Sequence, residues 1–167
     1  MAYFKYFPTI NYDVRGVKND RNIQYVTDIL KRVRKRLDIV NRAYFEQYFV
    51  KDGDTPESLS HQVYGDSTLH WIILYGNYMT NPYYDWPLTY IDLKKFVIKK
   101  YGEANINDTH HYEDADGYEV DSDAPTATAI TNFLHEEALN DVKRTINIIK
   151  PEYTQQIISE FKKIIVE

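Results

Sequence analysis

The sequence has no cysteine among its 167 residues, and this absence excludes disulfide bonds and thiolate metal sites. It also lacks an apolar run approaching the roughly 18 residues of a membrane-spanning helix. The first residues, MAYFKYFPTINYD, lack the basic segment followed by an apolar segment that is typical of a secretory signal peptide. We therefore expect no signal peptide, no membrane span and no membrane partner.

Basic residues are fewer than acidic residues, 20 against 25, and the formal net charge is −5. A protein that neutralises many phosphates needs an excess of lysine and arginine, so we expect no nucleic-acid partner. The hydrophobic share of 43% and the charged share of 27% are typical of globular proteins. These numbers predict a chain that folds around a core.

Tyrosine is abundant, with 16 copies beside 7 phenylalanines and 2 tryptophans. Tyrosine combines apolar area with a hydroxyl group and is enriched at protein interfaces. The alternative is that these tyrosines form the periphery of a core. The same choice between core and interface applies to Trp71 and Trp86.

Residues 1–42 are predicted to form an extended N-terminal arm followed by a helix over residues 22–42. The arm is aromatic and Pro8 breaks any helix in it, so it must pair or dock elsewhere, in this chain or another. In the helix, apolar residues recur alternately every four and three positions from Val26 to Val40, which is a heptad seam that closes within the chain or against a partner. If the chain acts by binding other proteins, we expect both segments to become buried only in a complex. The residues that we assign to partner binding are Tyr3, Phe4, Tyr6, Phe7, Val26, Leu30, Val33 and Leu37.

Residues 43–90 are predicted to form a compact module of a strand, a turn and two helices. Aromatic and β-branched residues favour the strand, and Gly53, Asp54 and Thr55 form the turn after it. Thr55 or Asp54 is placed to accept a backbone N–H at the start of the first helix. The expected core of this module consists of Leu59, Val63, Leu69, Trp71, Ile73 and Leu74.

Residues 91–167 are predicted to alternate between helices and short strands. The expected elements are a helix over 91–101 ending at Gly102, an acidic hairpin turning at Asp114–Gly117, a short helix or irregular connection over 130–142, a strand over 143–150 and a final helix opened by Pro151. The chain as a whole is therefore predicted to have an α+β fold.

Patterns that carry chemistry are weak in this sequence. His110 and His111 lie among acidic residues, but adjacent residues on a strand point to opposite faces, so we expect them not to converge on a metal. The stretch DADGYEVDSD has its glycine in the wrong place for a calcium loop. Neither a G-x-S-x-G elbow nor a phosphate-binding glycine loop occurs. We expect no catalytic residue, no metal ligand and no cofactor.

The central module resembles the LysM module. The matching pattern is Tyr48-x-Val50-x-x-Gly53-Asp54-Thr55, followed by Leu59, Val63, Tyr64, Leu69 and Asn77. The resemblance implies a βααβ fold and a shallow groove for N-acetylglucosamine polymers, built from Gly53, Asp54, Thr55 and the loop after Tyr75. The sequence departs from the pattern after helix two, where NYMTNPYYDWPLT replaces the expected second strand.

The longer pattern resembles the baseplate wedge protein 53 family of T-even-type contractile-tailed phages. The matching segments are YFKYFPTINYD, VTDIL, YGDSTLHWIILYGN with NPYYDWPLT, and the C-terminal LNDVKRTINIIKPEYTQQIISEFKKII. The resemblance implies a non-enzymatic virion subunit, made in the host cytoplasm, that clamps wedge proteins and joins neighbouring wedges into a sixfold tail baseplate. The alternative hypothesis is a peptidoglycan-binding LysM module that targets a lytic activity.

Overall fold

The computed structural model describes residues 4–17, 20–31 and 44–166, and in these residues the chain combines helices with small antiparallel sheets, which confirms the α+β prediction. The chain forms two compact units. Unit 1 comprises the described residues of Met1–Gln47, Thr55–Tyr78 and Asn147–Glu167, and unit 2 comprises Tyr48–Asp54 and Met79–Ile146. The predicted segments 1–42, 43–90 and 91–167 do not coincide with these units, because each unit joins stretches that are distant in sequence.

Unit 1 begins with a hairpin of two antiparallel strands, β1 (Thr9–Asp13) and β2 (Ile23–Thr27), with Ile10 opposite Val26 and Asp13 opposite Ile23. The predicted helix over 22–42 is therefore wrong for β2. This segment, IQYVT, is rich in β-branched and aromatic residues, and pairing with β1 overrides the helical spacing. The rest of the predicted helix from residue 32 onward, including Val33 and Leu37, lies outside the described residues.

The predicted strand and two helices follow, as β3 (Phe45–Phe49), α1 (Pro56–Tyr64) and α2 (His70–Gly76). Thr55 caps α1 by accepting the N–H of Ser58, and the hydroxyl of Ser58 accepts the N–H of Thr55 in return. Gly65 ends α1 in the left-handed conformation at φ 73°. Of the two candidate caps, Thr55 and Asp54, Thr55 is the one that caps α1.

The strand that pairs with β3 is β7 (Thr145–Ile149), far along the chain. The sequence predicted a strand here but left it without a partner, while the resemblance placed the module's second strand directly after Asn77. In unit 1 the Asn77 side chain donates to the carbonyl of Asn147 and accepts its N–H, both at 2.8 Å, and the Tyr64 hydroxyl donates to the carbonyl of Ile149 at 2.9 Å. The two helices are thereby tied to β7.

The core of unit 1 forms where α2 meets the final helix, α6 (Thr154–Val166). Phe161 is fully buried, and its ring centroid lies 4.6 Å from that of Trp71. Of the six predicted core residues of the module, Leu59, Trp71 and Ile73 are buried, whereas Val63, Leu69 and Leu74 are half-buried. The fully buried Ile72 of α2 also belongs to this core.

Unit 2 contains helices and a three-stranded sheet. Its elements are α3 (Pro82–Asp85), α4 (Tyr90–Tyr101), β4 (Thr109–Glu113), β5 (Glu119–Val120), β6 (Thr128–Thr131) and α5 (Asn132–Val142), with the sheet order β5-β4-β6. The predicted helix ending at Gly102 and the acidic hairpin turning at Asp114–Gly117 are confirmed. The sequence did not predict β6.

Buried polar side chains bind the backbone inside unit 2. The Asn140 amide accepts the N–H of Leu88 at 2.7 Å and donates to the carbonyl of Leu88 at 3.1 Å. The Arg144 guanidinium donates to the carbonyls of Val50 and Leu88 at 3.2 Å each. These bonds satisfy loop backbone groups that the regular elements leave over.

Across the residues that the structure describes, we find no helix whose length and apolar character would let it span a membrane.

Candidate partner-binding surfaces

The aromatic arm packs inside unit 1. Phe7 is only 8% exposed and belongs to the core cluster with Phe161, and the half-buried Phe4 and Tyr6 pack against the same cluster. Lys162 of α6 lies over the Tyr6 ring, 4.7 Å from its centroid. The expectation that this arm becomes buried only in a complex is therefore wrong for these residues, while Tyr3 lies outside the described residues.

The hairpin of β1 and β2 is where unit 1 exposes apolar side chains. Directly opposite residues of an antiparallel pair share a face, so Ile10 and Tyr12 lie on one face and Ile23 and Tyr25 on the other. All four are exposed, and Tyr25 is 81% exposed. We call these four residues the hairpin surface. A hairpin of two strands is only marginally stable by itself. A partner protein that packs against the hairpin surface would bury apolar side chains that are exposed to water in the chain alone.

Two residues of the predicted heptad seam lie at the end of the hairpin. Val26 lies within β2 and is half-buried, and Leu30 lies in the turn after β2 and is 80% exposed. The side chain of Asp28 holds this turn by accepting the N–H groups of Leu30 and Lys31. Partner binding by Val26 and Leu30 stays a prediction, and Leu30 adjoins the hairpin surface in sequence.

The segment NPYYDWP gives unit 2 an exposed tyrosine pair. Asn81 caps α3 by accepting the N–H of Tyr83, and Asp85 accepts the N–H groups of Thr80 and Asn81 at 2.9 Å each. This folded turn leaves Tyr83 89% exposed and Tyr84 74% exposed. The indole of Trp86 instead turns inward, where its Nε1 donates to the carbonyl of Asp54 at 2.9 Å. Both tryptophans, Trp71 and Trp86, are therefore buried rather than at an exposed surface.

The tyrosine pair borders a groove of about 420 Å³ in unit 2, which we call the tyrosine groove. Its lining is mainly apolar and carries a few charged groups. The lining residues are Tyr83, Tyr84, Leu88, Asp92, Leu93, Phe96, Glu136, Leu139, Asn140 and Lys143. Such a composition suits an aromatic or aliphatic side chain of another protein.

The Gly-Asp-Thr turn uses its polar groups internally. In unit 2 the Asp54 carboxylate accepts the N–H of Lys51 and the hydroxyl of Tyr48, both at 2.9 Å. Burial and the hydrogen bond to this carboxylate raise the pKa of Tyr48 above its usual value. Gly53, also in unit 2, takes φ 86°, and Thr55 in unit 1 caps α1. Each residue has a structural use, which is the role that the sequence favoured.

The histidines of β4 do converge. His110 and His111 lie next to each other and next to His135 of α5, and ring nitrogens of all three lie within 4.8 Å of one another. The register of β4 against β6 slips between Thr109 and His111, so β4 carries an extra residue. This bulge breaks the simple alternation of faces on which the opposite expectation rested.

The electrostatic setting of the histidine cluster includes Lys100 and Glu136. Lys100 Nζ lies 2.5 Å from Oε1 of Glu136, which also accepts the hydroxyl of Tyr101 at 2.8 Å. Desolvation lowers the pKa of His110, and the neighbouring His135, His111 and Lys100 lower it further. These effects favour the neutral form of the His110 ring.

Sequence reasoning missed the hairpin surface and the histidine cluster. The alternation of apolar and polar residues in TINYD and IQYVT was the available signal for the hairpin, but the longer helical spacing obscured it. His135 gave no signal, because it is distant in sequence from His110.

Comparison with known proteins finds a matching family model and a similar phage protein. A family model described as "Base plate wedge protein 53" matches residues 2–126. Baseplate wedge protein gp53 of Enterobacteria phage T4 is 27% identical over 99 residues, which are 59% of this chain and 50% of that protein. The chain thus matches about half the length of this relative. The family match ends before the C-terminal segment, so the resemblance stated for that segment stays a prediction.

Proposed function

Because this chain belongs to the base plate wedge protein 53 family, we propose that it is a structural subunit of a phage tail baseplate wedge. In this role it binds other wedge proteins and joins neighbouring wedges during assembly. The expected location is the tail baseplate of the virion, after synthesis in the host cytoplasm. We propose a structural rather than an enzymatic role because the matching family is described as a base plate wedge protein and because exposed apolar side chains suit contact with other proteins.

The observation that carries this proposal is the hairpin surface, which lies inside the family match. Its four apolar residues stand exposed on two opposite faces of one ribbon. A ribbon that exposes apolar side chains on both faces suits insertion between two partner segments. Its outer strand edges also offer backbone groups for pairing with a strand of a partner.

The tyrosine groove supports a second contact. Tyr83 and Tyr84 belong to the segment NPYYDWPLT of the family resemblance and are exposed, although the neighbouring Trp86 is buried. Tyrosines of this kind dominate binding energy at many interfaces, since they bury a large area at low entropic cost. Two separate surfaces on one chain fit a subunit that holds two neighbours together.

The peptidoglycan-binding alternative receives no support from the matches. Asp54 and Thr55, which a sugar groove would use, already bind the backbone around the turn and at α1. No specific observation favours this second function, so it is not proposed further.

Co-expression with the other baseplate wedge proteins of the same phage tests the proposal. We expect the wild-type chain to co-purify with at least one of them. The double variant Ile23→Thr, Tyr25→Thr keeps β-branched residues in β2 but removes most of its apolar area. It should bind about 10-fold or more weakly, because an aromatic hot spot costs about 2 kcal/mol when truncated.

The matched control is Tyr118→Thr, which removes an exposed tyrosine from the acidic hairpin of unit 2. This control should bind like the wild type, and both variants should unfold within about 0.5 kcal/mol of it. Failure of the wild-type chain to bind any wedge protein would contradict the proposed function. If the double variant binds as tightly as the wild type, the hairpin surface is not the contact with the partner.

A further inference from the structure

The three clustered histidines of unit 2 come from two elements that pack together, β4 and α5. His110 and His111 stand at the bulge of β4, and His135 lies in the first turns of α5. One ring nitrogen of each lies within 4.8 Å of the others. At this spacing the three imidazole rings can offer three nitrogen ligands to one metal ion, and no carboxylate ligand is needed. The cluster is therefore a candidate metal site rather than a solvated patch of charge.

His111 has the hydrogen-bonding pattern of a metal ligand. Its Nε2 lies 2.8 Å from Oε1 of Glu113, and its Nδ1 lies 2.8 Å from Nδ1 of His110. A carboxylate accepts hydrogen bonds, so Nε2 carries the proton and the Nδ1 lone pair faces His110. Metal-binding histidines commonly donate their second ring N–H to a carboxylate in this way, which fixes the tautomer and makes the ligand nitrogen more basic.

We propose that His110, His111 and His135 bind one divalent transition-metal ion of the Zn²⁺ class, with Glu113 as the acceptor behind His111. Water fills the fourth position of a tetrahedral site. Imidazole nitrogens favour zinc, copper and nickel, whereas calcium and magnesium prefer oxygen ligands. The bound ion would link α5 to β4 within unit 2.

The rearrangement that this site needs is small. Tetrahedral zinc with bonds of about 2.0–2.1 Å places its nitrogens about 3.3 Å apart, which falls between the 2.8 Å pair and the 4.8 Å limit of the cluster. The rings of His110 and His135 stack with centroids 3.9 Å apart and planes 9° apart. A metal lies near the plane of each ring that binds it, so one ring must tilt. His110 is exposed and can do so without disturbing the core.

The test uses the full chain without a histidine tag, treated with a chelator and then titrated with ZnCl₂ by calorimetry at pH 7.5. We expect one Zn²⁺ per chain and a rise in the melting temperature. His110→Ala and His135→Ala should both lose this binding. His61→Ala, in α1 of unit 1, is the matched control and should bind like the wild type.

A second variant and a second readout separate a metal site from a general loss of structure. Glu113→Gln keeps the side-chain shape and should weaken Zn²⁺ binding by about 10- to 100-fold. Co²⁺ should give the visible absorption of a tetrahedral site in the wild type but not in His110→Ala, whose fold circular dichroism can verify. Absence of stoichiometric binding, or wild-type affinity in both His110→Ala and His135→Ala, would overturn the proposal.

Discussion

At the scale of single residues, polar side chains bind backbone groups that are distant in sequence. Asn140 of α5 is 3% exposed and bonds both the N–H and the carbonyl of Leu88. No sequence pattern marks such a residue, because its partner is a loop fifty-two positions away. The Gly-Asp-Thr turn was easier to predict, since Thr55 and Ser58 interact within one helical turn.

Replacing Asn140 with alanine should destabilise the chain by about 1–3 kcal/mol, because it leaves the N–H of Leu88 unpaired, whereas the carbonyl of Leu88 keeps its bond from Arg144. Urea denaturation followed by circular dichroism measures this change. The exposed Asn107 provides the control, since Asn107→Ala should shift stability by less than about 0.5 kcal/mol. Equal stabilities of the two variants would show that the Leu88 bonds contribute nothing.

The carboxyl of Asp66 provides a residue-scale prediction about pH. The hydroxyl and then the N–H of Thr68 donate to it and lower its pKa, so the folded state is favoured above the unfolded pKa and this contribution is lost as pH falls through the folded pKa. In Thr68→Val the hydroxyl bond is lost, and the pKa of Asp66 should rise toward its ordinary value. Carbon NMR titration measures it.

Asp92 serves as the internal reference in that titration. Lys95 and Thr89 lower the pKa of Asp92, and both lie outside the α1–α2 region that Thr68→Val changes. The pKa of Asp92 should therefore stay low in the variant. An unchanged Asp66 pKa would show that the Thr68 hydroxyl does not contribute.

At the scale of elements, the sequence correctly predicted features that depend on neighbouring residues. It did not predict strand pairs whose members are distant in sequence. The caps of α1, the end of α4 at Gly102 and the acidic hairpin all depend on neighbouring residues. By contrast, the partner of β3 is β7, about one hundred residues later. The β1–β2 hairpin was missed because Val26 of β2 also fitted the helical spacing of apolar residues that continues to Val40.

The tie between α2 and β7 gives an element-scale prediction. Asn77→Ala removes the amide that bonds both backbone groups of Asn147, and it should cost about 1–2 kcal/mol, since this site is less buried than Asn140. Hydrogen exchange at the Asn147 amide should accelerate more than at Ile130 of β6. Uniform acceleration, or none, would contradict a local tie between α2 and β7.

At the scale of the whole molecule, the resemblance to a family says more about the function than the geometry of any single residue does. The residues predicted to bind partners were only partly apt, because Phe4, Tyr6 and Phe7 pack in the core of unit 1. The surfaces that replace them, the hairpin surface and the tyrosine groove, are visible only once the fold is known. Each belongs to a different unit, which is consistent with a subunit that contacts more than one neighbour.

The most direct test of the proposed role is quantitative mass spectrometry on purified particles of the phage that encodes this chain. We expect a copy number at a multiple of six, because the family resemblance implies a sixfold baseplate, and we expect the protein to stay with isolated baseplates. Absence of the protein from particles, or presence only in lysate fractions without baseplates, would contradict a structural role in the wedge.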